Sequence, residues 1–306
     1  MTRAPTSMYI NASLGSCRPA PTIPVMPLVG VSAALQSLSD PAILPKRTIH
    51  NEFSLDGRVG VVTGGNRGLG LEMALALCEA GATVYVFDLP ATPGEEFAAA
   101  SEYAKKFGGT LKYVSVDVTH QKDVWDRFAA IGDSEGRVDV CIAAAGIGER
   151  RPCLDYEAED FQRVMNTNAN GVLYTAQGAG RQMVRFGTPG SIILIASVSG
   201  SIALRDNLAV AYQASKAAVL QMARGMACEL GRQKIRVNTI SPGYMHTKMI
   251  AKDLEQQGVD TMGSQNPLGR IGRPDELRGV AVWLASDASS FCTGSDILVD
   301  GGHHSW

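Results

Sequence analysis

From Val59 onward the chain alternates short apolar runs rich in β-branched residues with longer stretches whose apolar positions recur at helical spacing. This is the pattern of strands alternating with amphipathic helices. The runs predict seven strands: Val59 to Thr63, Thr83 to Phe87, Leu111 to Val116, Val138 to Ala143, Ser191 to Ala196, Ile235 to Ile240 and Asp296 to Val299. The stretches between them predict helices over Gly68 to Ala80, Pro93 to Phe107, His120 to Ile131, Tyr156 to Arg185, Leu208 to Gly231 and Pro274 to Ser286. Repeated βα units imply a parallel sheet covered on both faces, so the expected fold is α/β: a single Rossmann-type doubly wound domain with a seven-stranded parallel sheet. Tyr244 to Asn266 breaks the pattern, mixing Met, Lys, Gln and Gly just beyond the carboxyl end of a strand. Ligands bind at that edge of such sheets, and residues 244–266 are therefore expected to form a mobile substrate lid.

Ahead of Phe53 the pattern is absent and the composition differs. Of 33 glycines, 31 follow residue 52, whereas 7 of the 14 prolines precede it. Residues 1–52 are read as a proline-rich extension and 53–306 as the domain. The 21 residues between Arg18 and Asp40 carry no charge and match a membrane span in length, but Pro19, Pro21, Pro24 and Pro27 would break a helix there. Few acids, several serines and scattered arginines resemble a weak transit peptide without its amphipathic Arg-rich helix. Three readings stay open: a disordered tail or oligomer arm, an organelle address, and a membrane contact.

Charge and cysteine usage narrow the classes further. The 306 residues carry 28 Lys and Arg against 30 Asp and Glu, a net charge of -2. No broad positive field invites nucleic acid or an anionic membrane, and neither is expected as a partner. The six cysteines lie far apart, none in a CxxC pair, as reduced packed thiols inside the cell would; the expected compartment is the cytoplasm, with the organelle address left open. The five histidines never fall at zinc-ligand spacing with them, so no metal is expected, and His303 with His304 reads as tail.

Thr63-Gly64-Gly65-Asn66-Arg67-Gly68-Leu69-Gly70 directly follows the first strand and opens the first helix. There the free N–H groups and the helix dipole attract a pyrophosphate, and bare glycine backbone lets it approach. Asp88 ends the second strand 18 residues beyond Gly70, where a carboxylate accepts hydrogen bonds from adenosine ribose hydroxyls and favours NAD. Arg67 keeps NADP open, because a guanidinium in the glycine loop could bind a 2'-phosphate. Tyr212-Gln213-Ala214-Ser215-Lys216 lies in a helical pattern that stacks phenol and ammonium on one face. A nearby ammonium lowers a tyrosine pKa and readies it to exchange a proton with a substrate oxygen. Ser197 follows the fifth strand, at the sheet's carboxyl edge, and Asn168 sits inside a long predicted helix, where an amide is a mediocre helix former.

Together these residues resemble the short-chain dehydrogenase/reductase family from Phe53 to Gly302. The family's TGxxxGxG stands as Thr63 to Gly70, its adenine-contacting Asp as Asp117 with Val118, its helix asparagine as Asn168, its serine as Ser197, its YxxxK as Tyr212 and Lys216, and its PG as Pro242-Gly243. The resemblance implies that Tyr212 is the general acid/base, Lys216 lowers its pKa and holds the nicotinamide ribose, Ser197 orients the substrate oxygen, and Asn168 holds a water in a proton relay. It also implies a cofactor contact at Thr247, five residues after Pro242. Two departures stand out. The family's NNAG is Ala143-Ala144-Ala145-Gly146, which keeps Ala144 and Gly146 at the cofactor floor but loses two amides that tie the sheet together. The Ser197-to-Tyr212 spacing is 15 where the family commonly has 13; Ser199 would restore 13, but Ser197 keeps the usual register after the strand.

Ala196 to Gly200 and Pro242-Gly243-Tyr244 look like those of fungal polyol and sugar-alcohol members, and of fungal secondary-metabolite alcohol dehydrogenases. The expected function is NAD(P)-dependent interconversion of a secondary alcohol and a ketone, the substrate being a polyol or a bulkier terpenoid- or polyketide-type alcohol. Met245, Met249, Ile250 and Met262 in the lid tilt this towards the apolar substrate. The alternative is a catalytically silent, cofactor-binding regulatory or interaction protein. The resemblance also implies a homotetramer or homodimer packed through the long helices.

Overall fold

A computed structural model describes residues 28–204, 208–251, 254–255 and 258–306. The chain divides into two compact units between Thr48 and Ile49. In the first, a helix runs over Gly30–Ser39 (α1), which the apolar pattern did not predict. Of the uncharged stretch after Arg18, residues 19–27 lie outside the described residues.

The second unit contains the short helix α2 (Ile49–Glu52) followed by strands β1 (Val59–Thr63), β2 (Thr83–Asp88), β3 (Thr110–Ser115), β4 (Val140–Ala143), β5 (Gly190–Ile195), β6 (Ile235–Pro242) and β7 (Asp296–Val299). All pair in parallel, in the order β3-β2-β1-β4-β5-β6-β7. The order reverses between β1 and β4, and this divergence opens a crevice at the carboxyl edge. Neighbouring residues on a strand feed opposite faces. Val62, Val86, Ile142 and Ile193 pack beneath α3 (Gly68–Glu79), α4 (Glu95–Lys105) and α10 (Arg278–Ala285). Val61, Phe87, Cys141 and Ile192 pack against α5 (Gln121–Glu135), α7 (Gly171–Phe186) and α8 (Val210–Leu230) on the other face. The seven-stranded doubly wound sheet is the expected one.

The single helix expected from Tyr156 to Arg185 is interrupted. A 3-10 turn at Cys153–Asp155 precedes α6 (Ala158–Met165), and a π turn over Asn166–Asn170 joins α6 to α7. The π turn widens the backbone at three asparagine positions, Asn166, Asn168 and Asn170, and such widenings cluster at functional sites. The expected lid is also partly ordered. Met245 bridges to Gly272, a 3-10 turn spans Lys248–Ile250, and α9 covers Val259–Gly263. Residues 252–253 and 256–257 of that segment lie outside the described residues.

Candidate active site

The glycine loop is built by backbone contacts that leave no space for side chains. Gly64 adopts φ +67°, and a Cβ there would stand 2.7 Å from the Ala145 nitrogen. A Cβ on Gly70 would lie 2.2 Å from the Gly64 carbonyl oxygen, so the first turn of α3 is pressed against the loop that precedes it. Arg67 at the N-cap makes no side-chain cap bond, and the first N–H groups of α3 are left for a ligand. The Asn66 N–H donates to Asp88 Oδ2 at 3.0 Å, and the Asn66 side chain accepts the Gly94 N–H at 2.8 Å. Asp88 thus secures the loop from the end of β2, with its other oxygen on the Leu89 N–H at 2.8 Å. This bare-backbone cradle with a carboxylate beside it fits a dinucleotide.

The cradle opens into a crevice of about 1860 Å³ lined by Gly64, Asn66, Arg67, Gly68, Leu69, Gly70, Asp88, Asp117, Val118, Ala144, Gly146 and Thr247. Asp117 is held by its own turn, accepting the Thr119 N–H at 2.9 Å and hydroxyl at 2.7 Å. Of the other expected cofactor contacts, Tyr212, Lys216, Pro242 and Gly243 are not among the residues that line the crevice. Gly243 instead serves close packing, since a Cβ there would lie 2.8 Å from Asp300 Cα. Where the amides of the family's NNAG are missing, the Ala145 N–H reaches across to Thr63 Oγ1 at 3.3 Å and ties β4 to β1.

The four residues expected to be catalytic converge from three places: the π turn, the end of β5 and α8. Lys216, on α8, is buried, and its Nζ donates to the Ile195 carbonyl at 2.7 Å, two residues before Ser197. That bond clamps α8 to the end of β5. It brings Tyr212, one turn earlier, towards Ser197, whose hydroxyl acts on the phenol. Ser197 Oγ lies 3.0 Å from Ser199 Oγ and accepts the Ser199 N–H at 3.2 Å. Of the two serines considered, Ser197 is the one that acts on the tyrosine. Asn168, fully buried in the π turn, donates from Nδ2 to the Ile147 carbonyl at 2.9 Å and to Ser215 Oγ at 3.1 Å, and accepts the Ile147 N–H on Oδ1 at 2.8 Å. These groups meet at Gly146: a Cβ there would be 3.3 Å from Asn168 Oδ1 and 3.7 Å from Lys216 Nζ.

Electrostatics departs from expectation. Burial pushes the Tyr212 phenol above its ordinary value, with the neighbouring Ser197 hydroxyl opposing that rise. Tyr212 is partly exposed as a residue, but its hydroxyl end is deep enough for desolvation to dominate. Burial likewise draws Lys216 down to about 8. Its Nζ stands 5.6 Å from the Tyr212 ring centroid and is spent on Ile195, so in the ligand-free arrangement the ammonium does not overcome the phenol's desolvation.

Two further corrections concern the rim. His303, read as a tail residue, is buried with its ring 5.5 Å from that of Tyr244, and Trp306 Nε1 donates to the Gln265 carbonyl at 3.2 Å. Met245 and Met262 are buried in the body of the protein, which leaves Met249 as the lid methionine that lines the crevice. Sequence reasoning missed Ser215, Ile147, Glu96 and Lys248. The first lies inside the YxxxK motif; the others act through backbone groups or through partners distant in sequence. Among the described residues no cluster of His, Cys, Asp and Glu could hold a metal ion, and no helix is long and apolar enough to cross a membrane.

A sheet diverging over a glycine cradle, beside a buried serine and lysine and a half-buried tyrosine, defines a nicotinamide-dependent oxidoreductase. A family model described as enoyl-(acyl carrier protein) reductase matches residues 63–304. A sorbose reductase of Schizosaccharomyces pombe is 40% identical over 257 residues, 82% of this chain and 97% of that protein. A short chain dehydrogenase/reductase of Aspergillus versicolor is 36% identical over 86% of this chain and 92% of its own length. A crystal structure of a gluconate 5-dehydrogenase from Burkholderia cenocepacia, in complex with NADP and tartrate, is 33% identical with a TM-score of 0.78, covering 84% of this chain and 99% of that one. The chain belongs to the short-chain dehydrogenase/reductase family. It is an NAD(P)-dependent oxidoreductase acting on alcohols or the corresponding ketones.

Proposed function

We propose that the protein interconverts a secondary alcohol of a polyol and its ketone, with Tyr212 exchanging the proton at the reacting oxygen. The observation that carries this is the convergence of Ser197, Tyr212 and Lys216 where the Lys216–Ile195 hydrogen bond clamps α8 to the end of β5, with the Ser197 hydroxyl acting on the phenol. In this reading Gly64, Leu69 and Gly70 receive the pyrophosphate, Asp88 the adenosine ribose, Asp117 and Val118 the adenine, and Ala144, Gly146 and Thr247 the nicotinamide half. Bound there, a nicotinamide supplies the hydride acceptor or donor and, in its oxidised form, a positive charge.

The protein's own groups handle the proton. During oxidation Tyr212 as phenolate removes the hydroxyl proton, and during reduction Tyr212 as phenol returns it. Ser197 donates a hydrogen bond to the reacting oxygen and fixes its position. Lys216 favours the charged form of Tyr212 and binds the nicotinamide ribose. The Asn168 side chain is fully engaged with Ile147 and Ser215, so its contribution to a relay falls to the backbone of the widened π turn.

Two observations favour a polyol over an apolar ring alcohol. Gln162, Arg163, Asn166 and His246 line the crevice beyond the glycine loop, and of the lid methionines Met249 alone joins them. The relatives named for sorbose and gluconate support the same substrate class. Asp88 selects NAD, while Arg67, exposed at the crevice, admits NADP. We further propose a homotetramer or homodimer packed through α7 and α8. The function is tested by incubating the protein with NAD or NADP and a panel of sugar alcohols and apolar secondary alcohols. Reduction of the cofactor with polyols is the predicted signal; cofactor binding without turnover on either set would instead support a silent binding protein.

A further inference from the structure

Three consecutive residues after β6 reach different parts of the cofactor crevice. Thr247 lines the crevice itself. Lys248 Nζ extends to one wall and donates to Glu96 Oε1 at 2.5 Å. Met249 lies against the other wall, where a Cβ placed on Gly148 would meet its Cγ at 3.6 Å and its Sδ at 3.7 Å. Behind these residues the strap is fixed: Met245 is buried, and the His246 N–H donates to the Gly272 carbonyl at 2.8 Å.

Glu96 stands in the first turn of α4, on the segment that follows Asp88. Gly68, at the start of α3, and Arg67 are close enough to act on its charge. One side chain therefore joins α4 to the strap beside the glycine loop, across a sequence separation of 152. The pair is exposed, at 70% for the lysine side chain and 45% for the glutamate. An exposed pair is weak and screened by salt, which suits a catch that opens at every turnover better than a permanent brace.

We propose that Lys248 and Glu96 form a clasp that closes the strap over the cofactor crevice, so that bound cofactor leaves only after the pair opens. This rests on the cofactor reading given above. Both are positioning residues and take no part in the hydride or proton step.

The test is the dissociation rate of the reduced cofactor, followed by its fluorescence on chasing the complex with excess oxidised cofactor. Wild type is compared with Glu96→Gln, Lys248→Met and the double variant. Glutamine keeps the length and shape of the side chain, so Glu96→Gln removes only the charge of the ion pair. Each single variant should release cofactor about two- to fivefold faster, the range an exposed pair supports, and the double no faster than either single. Hydrogen exchange of residues 245–250 in the cofactor complex should rise in step, with melting temperatures confirming that all variants fold. Single variants that release at the wild-type rate, or a double variant whose effects multiply, would overturn the clasp. Absence of cofactor binding by wild type would remove the cofactor reading itself, and that outcome is seen before any variant is compared.

Discussion

Asn168 holds Ile147 at both ends, its Nδ2 donating to the Ile147 carbonyl and its Oδ1 accepting the Ile147 N–H. The side chain thereby fixes the loop that leaves β4 along the crevice floor. Asn168→Ala would leave both backbone groups of Ile147 without this partner, and Ser215 with only its bond to the Tyr212 carbonyl, around a position whose side chain is fully buried. Each unsatisfied buried group costs about 1–3 kcal/mol, so a clear fall in melting temperature and a lower kcat are expected together. Thermal unfolding and steady-state kinetics on one preparation check this; a variant as stable as wild type would remove the clamp from the account.

Gly70 and Gly146 separate two kinds of damage. Alanine at Gly70 meets the Gly64 carbonyl, which is backbone and cannot swing away. The cradle must then deform, and Gly70→Ala is expected to abolish cofactor binding. At Gly146 the added methyl meets Asn168 Oδ1 at 3.3 Å, an atom pinned by the Ile147 N–H. A displacement of a few tenths of an ångström there should leave folding intact and lower kcat about tenfold, because turnover is sensitive to sub-ångström misplacement. Cofactor titration and kinetics distinguish the two variants.

Ser197 and Ser199 are adjacent hydroxyls, but Ser197 is the one that acts on the Tyr212 phenol. Ser197→Ala should therefore reduce kcat by about a hundredfold, in the range of a lost oxyanion-type donor. Ser199→Ala should cost no more than a few-fold. Equal losses, or the reverse order, would move the role to the residue at the commoner family spacing.

The doubly wound sheet was legible because parallel strands under helices on both faces are apolar along their length, and Val61 and Val62 display this by packing against opposite layers. The glycine cradle was legible because backbone approach demands glycine at fixed spacing. What stayed hidden depended on three-dimensional proximity. The π turn at Asn166–Asn170 continues a helical hydrophobic pattern and changes only the hydrogen-bond step. The buried positions of Met245, Met262 and His303 depend on where the strap and C-terminus fold back. Desolvation of Tyr212 and Lys216 was invisible in a motif that shows only their four-residue spacing.

The shift of Lys216 fixes a pH dependence. Its pKa is about 8 when folded against 10.5 for an ordinary lysine, so between those values the unfolded chain binds more protons, and stability contributed by this group rises with pH across that window. Lys216→Met should remove that rise, match or exceed wild-type stability near pH 7, and lose most turnover. Melting temperatures of both proteins at about pH 7 and pH 10, bracketing the window, provide the check. An unchanged slope in the variant would show that another group carries it.

The most direct measurement is single-turnover hydride transfer by Tyr212→Phe, alongside its cofactor affinity. Phenylalanine keeps the ring and removes only the hydroxyl that meets Ser197. The account predicts that cofactor binds within about twofold of wild type while the rate falls by about three orders of magnitude or more, the upper part of what general acid/base catalysis contributes. Substantial single-turnover hydride transfer by the phenylalanine variant would contradict it.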